Sequence, residues 1–70
     1  MSTTTPAQTM QTALRLLQVL GHALQLTDEL EDIAYREAEI SFVFAAKEVR
    51  RRVEEGYEIL EKFIRINRTG

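Results

Sequence analysis

Between Met10 and Ile33 the chain carries two hydrophobic repeats at once. Met10, Ala13, Leu17, Leu20 and Leu24 recur at alternating spacings of three and four, and so do Leu16, Val19, Ala23, Leu26, Leu30 and Ile33, offset around the same helix. A third line, Gln11, Arg15, Gln18, His22, Gln25, Glu29, Asp32 and Arg36, is polar throughout. At about 100° per residue these become two apolar faces and one wet face of a single helix.

Start and stop signals place the elements. Residues 1–5 read as a disordered leader. Thr5-Pro6-Ala7-Gln8 reads as a helix start, with Thr5 as cap, Pro6 in the first helical position and Gln8 completing a capping box. Helix 1 is expected over about 6–38, with at most a kink at Thr27-Asp28, where Asp28 and Glu31 fit a second capping box. Beyond residue 42 the apolar positions Phe42, Ala46, Val49, Val53, Gly56/Tyr57, Leu60 and Phe63/Ile64 lie roughly 140° away from Leu26, Leu30 and Ile33 on one continuous helix. A turn between about Ala38 and Phe42 repairs that mismatch, with Ser41 capping a second helix over about 42–66. Glu48 with Arg52, Glu58 with Lys62 and Glu61 with Arg65 stand four apart and support it.

The expected fold is all-α: a single domain, 1–70, made of an antiparallel two-helix hairpin. Folding at residue 40 pairs Leu30 with Val49, Leu26 with Val53, Ala23 with Tyr57, Val19 with Leu60 and Leu16 with Phe63. Ala23 and Gly56 then fall close together, and Gly21, which costs a helix about 1 kcal/mol relative to Ala, fits the close approach of another helix. Met10, Ala13, Leu17, Leu20 and Leu24 are left outside. Five such side chains, at about 1.5–3 kcal/mol each on full burial, are a large surface to leave wet. They form the expected interface of a two-fold dimer, giving a four-helix arrangement.

Composition narrows the function. Seventy residues without a cysteine cannot use disulfides or thiolate metal sites, and small domains of that kind usually lean on oligomerisation. The start of the chain lacks a signal peptide and no apolar run is long enough for a membrane span, so the expected location is cytoplasmic. His22, the single histidine, has no carboxylate one turn away to orient it as a base. Ser2 and Ser41 have no base within helical reach, no inward Glu-x-x-His repeat exists, and no glycine loop cradles a phosphate. We therefore expect no enzyme, cofactor or metal.

Charge is segregated along the chain. Residues 28–39 hold Asp28, Glu29, Glu31, Asp32, Glu37 and Glu39 against Arg36 alone, and Lys47-Glu-Val-Arg50-Arg51-Arg52 follows. The acidic block reads either as a solvated hairpin end neutralised by Lys47 and Arg50–Arg52, or as a negative surface that docks a basic partner in place of phosphates. The three arginines read either as a surface network with neighbouring carboxylates or as phosphate contacts, although three successive residues spread over more than half the helix circumference. A net charge of −2 argues against general nucleic-acid binding. Phe42-Val43-Phe44 either closes the bundle end or forms a tip that inserts in a partner. The candidate partner-binding residues are Asp28, Glu31, Asp32, Tyr35 and Glu39, Tyr35 being an aromatic anchor beside the acids.

The length, the Thr-rich leader, the two Leu/Ala-rich helices and the stretches Phe44-Ala-Ala-Lys-Glu-Val-Arg50 and Glu55-Gly-Tyr-Glu-Ile-Leu-Glu-Lys-Phe-Ile64 resemble the small helical-hairpin proteins that bacteriophages make early in infection to disable host proteins, the anti-quorum-sensing kind in particular. The resemblance implies a homodimer in the host cytoplasm that binds a LuxR-type quorum-sensing activator at its DNA-binding domain and blocks DNA binding. It also implies a second target, the ATPase of type IV pilus assembly. The other readings are a small nucleic-acid-binding regulator using Arg50–Arg52 and a purely structural oligomerisation module.

Overall fold

The structure is a computed structural model and describes residues 6–69. Two α-helices of 30 residues each, α1 (Ala7–Arg36) and α2 (Ile40–Thr69), run antiparallel, and no strand occurs among the described residues. The helices begin and end at different residues from those expected. The leader 1–5, with the proposed Thr5 cap, lies outside the described residues. Pro6 holds the N-cap position (φ −53°, ψ 144°) instead of the first helical one, and its carbonyl accepts from the Met10 amide at 3.0 Å. The helix runs straight through Thr27-Asp28. The Thr27 hydroxyl donates to the Leu24 carbonyl at 2.7 Å and so remains inside the helix rather than capping a new one.

The turn is a helix C-cap made without glycine. Glu39 N–H donates to the Ala34 carbonyl at 2.8 Å and Ala38 N–H to the Tyr35 carbonyl at 3.2 Å, the paired bonds of a Schellman motif. That motif needs a left-handed residue between the two, and Ala38 takes it with φ 58°. The Glu39 carbonyl then accepts from the Phe42 and Val43 amides at 3.0 and 3.2 Å, opening α2. Ser41, expected as the cap, is already inside the first turn.

Burial selects the first repeat of α1 for the hairpin seam. Met10, Ala13, Leu17, Leu20 and Leu24 are half-buried against α2, and the same three-four spacing continues through Thr27 and Glu31 to Ala34, which is 3% exposed. On α2 the matching line is Val43, Ala46, Arg50, Val53, Tyr57, Leu60, Ile64 and Asn67, with Ala46 1% exposed. The expected roles are therefore exchanged. Met10, Ala13, Leu17, Leu20 and Leu24 face the hairpin's own second helix, not outward, and Leu16, Val19, Leu26, Leu30 and Ile33 are exposed. The register shifts with them. A Cβ built on Gly21 would lie 3.6 Å from a Tyr57 ring carbon, an ordinary contact, while one on Gly56 meets nothing within 4 Å. Ala23 and Gly56 do not mediate the intramolecular approach.

The hairpin has two unlike sides. In antiparallel helices, the residue preceding each inward position turns to the same side on both. That side collects Leu16, Val19, Leu26, Leu30 and Ile33 from α1 and Phe42, Val49, Ile59, Phe63 and Ile66 from α2, ten of the thirteen exposed large apolar residues among those described. A depression lined by Leu30, Ile33, Ala34 and Phe42 joins the two sets near the turn. Positions following the inward line make the other side, with Gln11, Gln18, Gln25, Asp28, Asp32 and Tyr35 facing Lys47, Arg51, Glu54, Glu58 and Glu61.

Candidate protein-docking surface

Near the turn, the charged side is built around two interhelical cations, Arg50 and Lys47. Arg50 occupies an inward position on α2, and its Nη1 donates to Asp28 Oδ1 at 2.8 Å and lies 3.4 Å from Glu31 Oε1. The Lys47 Nζ stands 3.9 Å from Glu31 Oε2. Glu31 is thus a polar residue in the seam that two cations make tolerable. The Asp28 hydrogen bond, then the Glu31 charge, hold the Arg50 guanidinium above its ordinary pKa. These contacts are open to solvent, so they add little stability and mainly orient the side chains.

Four of the five expected docking residues come together here. Asp28, Glu31, Asp32 and Tyr35 line a shallow open depression with Arg50. Tyr35 stands 73% exposed at its edge, and Asp32 pairs with Arg36 one turn on at 3.3 Å. Glu39 is not part of it. It lies with Glu37 at the rim of the depression floored by Leu30, Ile33, Ala34 and Phe42, on the apolar side. The turn geometry explains the separation, since the left-handed Ala38 redirects the backbone just before Glu39.

The other candidate chemistries disperse. Arg51 pairs with Glu48 and, at 3.3 Å, with Glu55, and Arg52 pairs with Glu48 at 3.2 Å. The three arginines point three ways, and each has a carboxylate partner. The Glu48 carboxyl is held below its usual value, first by the hydrogen bond from Arg51 and then by that charge. His22 is exposed on the outer edge of α1. Among the described residues no group of three or more His, Asp or Glu side chains could hold a metal ion, and no helix is long and apolar enough to cross a membrane.

The Phe42-Val43-Phe44 tip divides. Val43 is buried, while Phe42 faces the apolar side and Phe44, 67% exposed, the charged side. Only Val43 closes the hairpin end. The pairing of Arg50 with the acidic block is one of the two expected readings, whereas its inward place and the exposure of Phe44 on the charged side are not assigned by the sequence. For Arg50 the available signal was its place in the three-four line of α2, obscured by its charge. No protein-family model, curated protein or solved structure matches this chain.

Proposed function

We propose that the protein is a non-enzymatic binding protein that works as a homodimer of hairpins, in a four-helix arrangement, and inhibits its target by covering a basic surface. Asp28, Glu31, Asp32 and Tyr35 make the primary contact, and Glu39 contributes from the turn. The observation that supports this reading is the exposed Tyr35 ring set among carboxylates that Arg50 holds in place. A large amphipathic ring beside oriented charge is the composition of an interface anchor. The resemblance to phage host-takeover proteins supplies the target class: the DNA-binding domain of a LuxR-type activator, whose phosphate-binding face the acidic surface would occupy, and a type IV pilus assembly ATPase as a second partner. The site of action is then the host cytoplasm.

Fluorescence anisotropy on a LuxR-type DNA-binding domain bound to labelled operator tests this. Added protein should release the DNA, with a release constant that rises with salt. Tyr35→Ala and Asp32→Lys should each weaken release at least tenfold, about 1.4 kcal/mol, while Gln18→Lys leaves it unchanged. If the protein itself binds the operator in a salt-dependent manner, the nucleic-acid reading through Arg50–Arg52 replaces this one.

A further inference from the structure

We infer that a second copy of the chain covers the apolar side, packed back to back and antiparallel, so that each turn lies over the other copy's open end. The inference rests on the homodimer reading above and specifies which side pairs, in which direction, and where that leaves the docking surfaces.

Area comes first. The chain exposes 5720 Å², whereas a folded monomer of this mass exposes about 4,500 Å². The excess of about 1,200 Å² goes with an elongated 57 × 15 × 13 Å shape, whose long side is large enough for the about 800 Å² that a standard interface takes from each partner. Ten of the thirteen exposed large apolar side chains among the described residues stand on one side. The charged side, with its carboxylates and guanidinium groups, cannot supply a comparable dry patch.

The centre of that side is shaped for close approach. Gly56 sits there at mid-height, half-buried, with no atom of its own chain near enough to require a glycine. Ala23, also half-buried, holds the equivalent position on α1. Larger side chains flank the two small ones, Val19 and Leu26 on α1 and Ile59 and Arg52 on α2, the last paired with Glu48. A two-fold axis across the middle of the side would bring Ala23 against its own copy and Gly56 against its own copy.

Charge selects the direction. Residues 22–54, the turn half, hold eight acidic and five basic side chains, whereas residues 6–21 and 55–69, the open half, hold three acidic and four basic. Turn over turn would superpose the acidic ends; turn over open end superposes opposite charges. The antiparallel dimer then presents the two Tyr35 surfaces outward on opposite faces, so one dimer engages two partner molecules.

The test uses the absence of cysteine in the wild-type chain. Light scattering should give twice 8.1 kDa at micromolar concentration, and Val19→Glu with Ile59→Glu should halve that mass. Ala23→Cys should form a disulfide-linked dimer under mild oxidation even if the double variant proves unfolded. Spin labels on Glu37→Cys should lie about 45 Å apart, the length of a 30-residue helix. A wild-type monomer overturns both this inference and the homodimer reading. A dimer that neither notices the double variant nor links through position 23 overturns this inference alone, and turns closer than about 20 Å, two helix diameters, overturn the antiparallel direction.

Discussion

The two sides of this hairpin are made by the same two helices and differ in almost every surface property. On one side, ten large apolar residues stand exposed in two adjoining stripes. On the other, carboxylates and cations alternate, with Tyr35 and Phe44 as the large apolar groups. The difference teaches how a two-helix protein can divide its work. A seam between two helices can bury only one stripe from each, and only Ala34, Val43, Ala46 and Ile64 fall below a tenth exposed among its apolar residues. Any further apolar stripe must find its burial outside the hairpin, whereas the charged side is already content with water.

The largest effect should come from the seam that holds the two sides apart. Ile64→Ala removes a buried side chain, 6% exposed, and should cost about 2–5 kcal/mol. A urea melt should show most of the helix lost at far lower denaturant, with both sides failing together. If the loss were confined to one side's function, the seam would not be their common support.

The two glycines sharpen the comparison, since Gly21 lies toward the charged side and Gly56 in the apolar one. Gly21→Ala should raise stability by about 0.5–1 kcal/mol, because alanine favours the helix and its Cβ meets Tyr57 at ordinary contact distance. Gly56→Ala should gain as much within a hairpin but weaken self-association, so its melting temperature becomes less dependent on concentration. Equal behaviour of the two variants in sedimentation would remove the distinction drawn between the sides.

The turn affects both sides equally and by less. Ala38 at φ 58° carries the left-handed penalty of an L residue, offset in part by the greater unfolded entropy of a glycine replacement. Ala38→Gly should therefore stabilise by about 0.5 kcal/mol, read as a rise in melting temperature without a change in mass or partner binding.

The smallest effect is a pH limb. The Glu48 carboxyl, paired with Arg51 and Arg52, titrates below its ordinary value of 4.5. A depressed carboxylate stabilises the folded state above its unfolded pKa, and that contribution fades as the pH falls from about 4.5 through the lower folded value. Glu48→Gln should remove this part of the acid limb and leave the neutral-pH melting temperature almost unchanged, as for any exposed pair.

Much of the candidate surface was legible because it is local. Asp28, Glu31, Asp32 and Tyr35 are three or four apart on one helix, so periodicity alone brings them to one depression. Glu39 looked equivalent in sequence but follows a left-handed residue, whose dihedral no spacing rule supplies. The inward place of Arg50 was hidden for another reason. A sequence line is judged by its apolarity, and a cation in it reads as a break even where its acidic partners on the facing helix are legible, as those of Arg50 are.

The sequence by itself determined that there are two long helices, that a turn separates them between about residues 38 and 42, and that α1 carries one apolar stripe too many. Each is a matter of period and phase within a segment. Only the tertiary structure decided which stripe faces α2. The more apolar line, Leu16 to Ile33, stayed outside, and the line containing Thr27 and Glu31 went in. The physical reason lies in the turn and the small residues beside it. Bonds from Glu39 to Ala34 and from Val43 to Glu39 set the rotation of both helices about their axes, and Ala34 and Ala46, each almost fully buried, let them close there. Thr27 satisfies its hydroxyl within its own helix, and Arg50 and Lys47 satisfy Glu31 across the seam. Polarity that would exclude a residue from a generic core is acceptable where its partners are already in place.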